Sequence, residues 1–394
     1  STGCGMGTSR SRDRTVAGAD SGTNRREPVL AILHASQPTD AGVAGYVAAV
    51  AADQRARGWR VVVACPSSGR LASDLTARGV PRLPWSATRS PSPDTVRETL
   101  RLRWLISQVR PDVVHLHSAK AGLAGRLALR GRLPTLFQPH GWSWLAVRGA
   151  TARATLAWER LACRWTDALV CVGEGEAEVA RHERVGQAHI VVRNGVDLAS
   201  FTPAGEQART AARDRLGVCQ QVPLAVCIGR VTQQKGQDVL LTAWPRVRRG
   251  CPEAELVMVG DGALLPTLRR GAPAGVRFVP PATDPRPWYA AADVVVLPSR
   301  WEGLSLTLLE AMASGCSVVV SDIPGLAEAT TAGVGAQVPV GDTAALAGAI
   351  VARLGDPDLR TAEGTAARLA AGAFDVRRTY EQLAAVTAQV SQRR

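Results

Sequence analysis

The chain is 394 residues long and 46% hydrophobic, long for one core and comfortable for two domains of ordinary size in a soluble α/β protein. No apolar run reaches the ~18 residues of a membrane-spanning helix, and the eight cysteines are scattered without a Cys-x-x-Cys pair, which excludes a disulfide framework or a cysteine zinc site and favours the cytoplasm. The net charge of +13 is uneven: residues 1–200 hold 27 Lys/Arg against 16 Asp/Glu (+11) and residues 201–394 hold 20 against 18 (+2), so the first half has an anionic partner or reflects the arginine usage of a GC-rich genome, Lys occurring only at 120 and 235.

Residues 1–27 are rich in Gly, Ser, Thr and Arg and have no apolar h-region, so they read as a disordered tail and not as a secretory signal. From residue 28, short apolar runs at 29–33, 60–64, 112–116, 135–138, 168–172 and 190–193 read as buried strands. Amphipathic helical segments such as 47–57, 97–109 and 154–165 lie between them. Such alternation predicts a parallel sheet covered on both faces.

The first strand–helix connection, Asp40-Ala-Gly42-Val-Ala-Gly45-Tyr46, is a Gly-bearing loop that opens a helix. His115 and His117 lie two apart on a strand and share a face; with no third ligand in view they make a poor zinc site, and a core or loop role fits better. His140 ends the strand of Phe137-Gln-Pro-His-Gly141, where the carboxyl edge of a parallel sheet opens a ligand crevice. The competing reading is a histidine packed under Trp142 and Trp144.

Asn194-Gly-Val-Asp197 reads as a turn, because Asn-Gly tolerates positive φ. The polar, Arg-rich stretch 204–221 reads as a linker with a short helix. The alternation then restarts, with strands at 224–228, 255–259, 276–279, 294–297 and 317–320, and helices at 237–247 and 343–354, the latter capped by Asp342. A break near Gly372 precedes a last helical segment, 375–394. The predicted organisation is two Rossmann-like, doubly wound domains, 28–200 and 201–374, facing a cleft.

Two segments of the second domain carry chemistry. Gly229-Arg-Val-Thr-Gln-Gln-Lys235-Gly236 leads from a strand into a helix, so Arg230 and Lys235 can reach one diphosphate and Gly236 permits the tight turn. Ser299-Arg-Trp-Glu-Gly-Leu-Ser-Leu-Thr-Leu-Leu-Glu-Ala-Met-Ala-Ser-Gly315 puts Glu302 in a loop and Glu310 inside a helix that starts near Ser305. Unpaired N–H groups at that start, near Leu306 and Thr307, make an anion cradle flanked by two carboxylates able to hold sugar hydroxyls. A solvated helix face is the bland alternative, but the Leu, Ser, Thr and Leu between the two Glu are not such a face. Asp356-Pro-Asp358 reads as a helix start and not as a metal motif, and Val259-Gly-Asp-Gly262 as a turn.

With Gly303 after the first Glu and Ala-Met-Ala-Ser-Gly after the second, this segment resembles the E-x7-E signature of family 4 retaining glycosyltransferases, the bacterial group 1 glycosyl transferases of GT-B fold. The 229–236 loop resembles that family's G-R-x4-K-G donor loop. The resemblance covers residues 28 to about 390 and is most specific over 225–330. It implies transfer of a sugar from a nucleotide diphosphate donor, a UDP-sugar first among them, to an acceptor hydroxyl. The implied catalytic residues are His140, Glu302, Arg230 and Lys235. The implied donor-binding residues are Gly42, Gly45, Gly229, Arg230, Lys235, Glu302, Gly303, Leu304, Ser305, Leu306, Thr307 and Glu310.

Within that resemblance Arg230 and Lys235 neutralise the leaving diphosphate, Glu310 holds the ribose, Glu302 holds the donor sugar, and His140 lies beside sugar and acceptor. The diphosphate itself takes the acceptor proton. Ala41 departs from the Gly-Gly that usually begins the first loop. Segment 118–126 resembles that of relatives extending lipid-linked sugars, and in GT-B enzymes a last helix crosses back to the first domain. The implied partners are the donor co-substrate and a lipid-linked, saccharide or small-molecule acceptor, in envelope glycolipid, polysaccharide or natural-product synthesis. No metal and no separate cofactor are expected. The enzyme is expected in the cytoplasm, its basic first domain in peripheral contact with an anionic membrane. Nucleic acid is not expected, since no basic helix interleaved with exposed aromatics is evident. The alternatives are a nucleotide-sugar 2-epimerase of the same fold, a pyridoxal-bearing phosphorylase for which Lys120 and Lys235 are poorly placed, and a non-enzymatic binder of anionic ligands or nucleic acid.

Overall fold

A computed structural model describes residues 29–88 and 90–393; the 1–27 tail lies outside the described residues. Seven strands form one parallel sheet: β1 (Ala31–Ser36), β2 (Arg60–Cys65), β3 (Arg82–Pro84), β4 (Val113–His117), β5 (Thr135–Gln138), β6 (Ala168–Cys171) and β7 (His189–Val191). They are ordered β3-β2-β1-β4-β5-β6-β7. The connecting helices are α1 (Ala41–Ala56), α2 (Arg70–Ala77), α3 (Thr95–Val109), α4 (Ser118–Leu129), α5 (Gly149–Ala162) and α6 (Glu174–His182). Every residue of β1, β4, β5 and β6 is buried, the outcome of helices covering both faces. Successive side chains point oppositely. Ile32 therefore packs with α1 and α2, and Leu33 with α3 and α4.

The second unit repeats the plan. Its elements are α7 (Glu206–Leu216), β8 (Leu224–Ile228), α8 (Gln237–Gly250), β9 (Glu255–Val259), α9 (Leu265–Arg270), β10 (Val276–Val279), α10 (Arg286–Ala291), β11 (Val294–Leu297), α11 (Leu306–Ala313), β12 (Val318–Ser321), α12 (Pro324–Ala327), β13 (Gly335–Val338), α13 (Thr343–Gly355) and α14 (Pro357–Ala371), and α15 (Val376–Ser391) returns to the first unit. The strand order is β10-β9-β8-β11-β12-β13. In each sheet the order reverses once, between β1 and β4 and between β8 and β11. A crevice opens beyond the carboxyl ends of the strands at such a point. Leu383, Val386 and Val390 of α15 pack into the α1 face of the first sheet.

Several local expectations need correction. α1 starts at Ala41, so Gly42 and Gly45 lie in its first turns and not in a loop. The edge strands β3 and β13 escape notice because one is three residues long and the other reads Gly-Ala-Gln-Val. Segment 204–221 holds the expected short helix, α7, and that helix is pinned to the second domain: Arg213 is 1% exposed and reaches Asp293 at 2.8 Å and the Ala291 carbonyl at 3.0 Å. Neither Asn194 nor Gly195 adopts positive φ. Gly195 is required by close approach instead, since a Cβ there would stand 2.5 Å from Thr379 and Val376 on the returning chain. Asp342 does cap α13, accepting from Ala344 and Ala345 N–H, and Asp356 caps α14.

Candidate active site

The loops after β8 and β11 are laced together. Gly236 has φ +66°, and a Cβ there would lie 1.9 Å from the Pro298 carbonyl oxygen, so only glycine fits. This turn aims Lys235 at Glu302. The ammonium pairs with a carboxylate oxygen that also accepts the Ser299 hydroxyl at 2.9 Å. Gln234 donates to the Trp301 carbonyl at 3.1 Å and sits 3.4 Å from the other Glu302 oxygen. Arg230 approaches Gln234 at 3.5 Å. Arg300 braces the arrangement from outside through a bidentate pair with Asp238 at 2.7 and 2.8 Å. The aliphatic stem of Lys235 lies against Gly229. Arg230, Lys235 and Glu302 are thus brought together.

α11 follows directly. Its first intrahelical bond runs from Leu309 N–H to the Ser305 carbonyl at 3.1 Å, which leaves the N–H groups of Leu306 and Thr307 without an intrahelical acceptor. Glu310 accepts the Tyr289 hydroxyl at 2.8 Å. Burial pushes its carboxyl up to about 7, against the opposing pull of that hydrogen bond. Leu306 reaches the other domain, since a Cβ on Gly42 would lie 3.2 Å from its Cδ1; Gly45 has nothing within 4 Å.

Gly303 and Leu304 serve the contact between domains. A Cβ on Gly303 would stand 2.6 Å from Val172. Leu304 is buried in the second core, and its carbonyl accepts the Asn194 amide at 2.7 Å. Their side-chain positions are therefore filled by protein, so any contact they make with a donor runs through the main chain.

The first domain supplies a polar layer between its sheet and α1. Pairing of β1 with β4 sets His34 opposite His115. A chain of hydrogen bonds then runs outward: Gln54 Oε1 to His34 Nε2 at 2.8 Å, His34 Nδ1 to His117 Nε2 at 2.9 Å, and His117 Nδ1 to His140 Nε2 at 3.1 Å. Burial pushes His34 down to about 4 and His140 to about 3, and holds His115 and His117 well below the usual range. The chain is therefore neutral at pH 7. With Gln54 Oε1 as acceptor, each imidazole donates outward-to-inward and His140 is left protonated on Nε2; the flipped amide would reverse every proton.

His34 is the third ligand that His115 and His117 lacked in sequence, and one ring nitrogen of each lies within 4.8 Å of the others. However, both nitrogens of His34 and of His117 are already engaged. Their 2.9 Å contact is also shorter than the ~3.3 Å edge of a tetrahedron with ~2.0 Å metal–nitrogen bonds. The arrangement suits a hydrogen-bonded chain.

His140 itself sits at φ +54°. Glu176 fixes that turn by accepting Gly141 N–H at 2.5 Å and Val172 N–H at 2.8 Å, and burial pushes its carboxyl up to about 7. Trp142 and Trp144 stack on each other at 4.5 Å inside the core, while the rings beside His140 are His117 and Tyr46. The histidine is not packed under the tryptophans.

His34, Gln54, Glu176, Tyr289, Ser299 and Gln234 were not singled out in sequence. Ser299 and Gln234 lay inside the two motifs and could have been; the others become partners only through tertiary pairing. A separate hollow of about 520 Å³ shares Tyr289 with this site, but the guanidinium groups of its Arg209, Arg360 and Arg368 are bonded to Asp293 and main-chain carbonyls.

Comparison with known proteins bears on this geometry. Residues 41–200 match the family model described as Glycosyltransferase Family 4, and residues 222–356 the one described as Glycosyl transferases group 1. A D-inositol 3-phosphate glycosyltransferase of Jonesia denitrificans is 33% identical over 306 residues, 70% of this chain and 71% of that protein. A GDP-mannose-dependent monoacylated alpha-(1-6)-phosphatidylinositol monomannoside mannosyltransferase of Corynebacterium glutamicum is 35% identical over 187 residues, 44% of this chain and about half (49%) of that protein. Among solved structures, Anabaena HepE in complex with UDP and glucose shares the fold, with a TM-score of 0.79 over 91% of this chain and 99% of that one at 21% identity.

Proposed function

The chain belongs to the family 4, group 1 glycosyltransferases, and from that premise we propose that it moves a hexose from a nucleoside diphosphate sugar to an acceptor hydroxyl with retention at the anomeric carbon. The observation that carries the donor reading is the Lys235–Glu302 pair beside Arg230, with Glu302 in the loop that leads into α11. The donor's diphosphate displaces Glu302 as partner of Lys235, with Arg230 and the Leu306 and Thr307 N–H groups completing its cradle. Glu302, still held by Ser299, is freed to accept hydroxyls of the sugar. Glu310 accepts the ribose hydroxyls from its place beside Tyr289.

Fixed positive charge at the leaving group stabilises the transition state, and two cationic side chains supply it here without a metal. The C1–O bond to phosphate breaks, the acceptor oxygen bonds C1 on the same face, and its proton passes to the departing phosphate oxygen. Neutral His140 orients a hydroxyl by hydrogen bonding and not by charge. A UDP-sugar is the first donor to test, and GDP-mannose, named for the Corynebacterium relative, the second. The acceptors named for both relatives carry phosphate, chemistry that the basic first half would suit. The enzyme is cytoplasmic and peripheral to the membrane in this reading.

The test is a panel of UDP-, GDP- and TDP-sugars without acceptor, following thermal stabilisation and slow release of nucleoside diphosphate, with and without EDTA. One stabilising donor, hydrolysed slowly and unaffected by EDTA, supports the reading. Stabilisation by none would remove the donor site, and sugar interconversion without nucleotide release would make the chain an epimerase.

A further inference from the structure

α3 is apolar on two sides. Leu102, Leu105 and Ile106 point into the first-domain core, and Glu98 turns inward to Lys120 at 2.6 Å. On the opposite side Val96, Leu100 and Trp104 follow one another at i, i+4 and i+8, 66%, 58% and 49% exposed. Arg97, Arg101 and Arg103 flank this stripe, all exposed, with the Arg101 guanidinium 4.2 Å above the Trp104 ring. Asp94, 3.8 Å from Arg97, is an exposed acid at this end of the helix. The segment was read from sequence as an amphipathic helix; the structure adds a second, exposed apolar row with one aromatic, Trp104.

Single exposed apolar residues need no explanation, but an aligned row rimmed by one sign of charge marks a contact surface. Valine and leucine offer nothing to stack on a base, whereas Trp and Leu with flanking Arg suit the boundary between lipid headgroups and acyl chains. We propose that this face of α3 docks on an anionic lipid bilayer, with Val96, Leu100 and Trp104 entering the headgroup boundary and the three arginines meeting lipid phosphates. This deepens the peripheral-membrane part of the reading above and is independent of the donor site.

The placement has a use. Lys120, near the start of α4, holds Thr95 at the start of α3 at 2.8 Å. α4 itself begins directly after His117. The docking helix therefore starts at the carboxyl edge of the first sheet, where the crevice opens, and a bilayer against α3 would bring a lipid-borne acceptor to that edge.

The test is sedimentation of the full chain with vesicles of phosphatidylcholine alone or with about a third phosphatidylglycerol. Binding is expected to the anionic vesicles only, and to be lost in 1 M salt, where the screening length is about 3 Å. Arg97→Glu/Arg101→Glu/Arg103→Glu should weaken it roughly a hundredfold, and Leu100→Asp/Trp104→Asp about tenfold. Melting temperature and nucleoside diphosphate affinity should stay unchanged in both variants. Variants that bind vesicles like the wild type would overturn the surface assignment, and a wild type that ignores anionic vesicles would overturn membrane contact altogether. So would a wild-type dimer that the variants dissolve, or tighter, variant-sensitive binding of single-stranded RNA than of vesicles. In every one of these cases donor hydrolysis would still report separately on the transferase reading.

Discussion

Lys120 in the first domain and Lys235 in the second each face a glutamate, yet Lys120 has two further hydrogen-bond partners and Lys235 has none among the described residues. The Lys120 ammonium meets Glu98 at 2.6 Å, Thr95 at 2.8 Å and the Ser90 carbonyl at 3.1 Å, and both members of the pair are nearly sealed from water. Burial pushes the Glu98 carboxyl up, and hydrogen bonds from Lys120 and Thr88 more than reverse this, so it stays below the usual range. Among the described residues Glu302 is the one partner of the Lys235 ammonium, at the mouth of a crevice. A buried pair braced by two further hydrogen bonds joins two helices. A half-satisfied pair at an opening can exchange its carboxylate for a ligand.

That difference can be pressed hardest on the first pair. Lys120→Met leaves Glu98 buried without its cation and should cost about 3–5 kcal/mol of stability, measured by denaturant unfolding. Lys120→Met/Glu98→Leu should restore most of it. A Lys120→Met loss below ~1 kcal/mol would mean that the first pair is as loosely engaged as the second.

The second domain's charge should also be visible in pH. In the proposed donor site Glu310, raised to about 7 by burial, must be ionised to accept two ribose hydroxyls, so nucleotide binding should be full above pH 7 and weaken as pH falls through it. Affinity should drop about tenfold between pH 8 and pH 6, and Glu310→Gln should flatten that dependence at a weaker affinity. A dependence that persists unaltered in the variant would assign the titration elsewhere.

The first domain should respond through proton placement instead. Gln54→Leu removes the acceptor that orients the His34–His117–His140 chain and should lower turnover several-fold without changing nucleotide affinity, while Gln54→Glu, which can only accept, should restore it. Nitrogen NMR of the imidazoles reports the tautomers directly. Wild-type and Gln54→Leu spectra with the same His140 tautomer would disconnect Gln54 from the site.

How legible each half was in sequence follows from the same contrast. The proposed diphosphate site draws its cations and N–H groups from two loops, so 229–236 and 299–307 could be singled out as strings, and each lies beyond the strand end where the sheet order reverses. The polar layer of the first domain is gathered from β1, α1, β4 and the loop after β5, positions 34, 54, 117 and 140. No local spacing predicts that His34 will face His117, since only the adjacency of β1 and β4 brings them together. Gly303 and Leu304 have a second task that motif position does not disclose for a related reason: they close on Val172 and Asn194 across the domains.

The proposed donor site depends most directly on Lys235 as the exchangeable partner of a diphosphate. Calorimetric titration of the preferred nucleoside diphosphate into wild type, Lys235→Ala and Lys120→Met/Glu98→Leu would test it. The prediction is that Lys235→Ala weakens binding about a hundredfold with little loss of stability, while the double variant binds like the wild type. Equal affinity in wild type and Lys235→Ala would contradict the donor site.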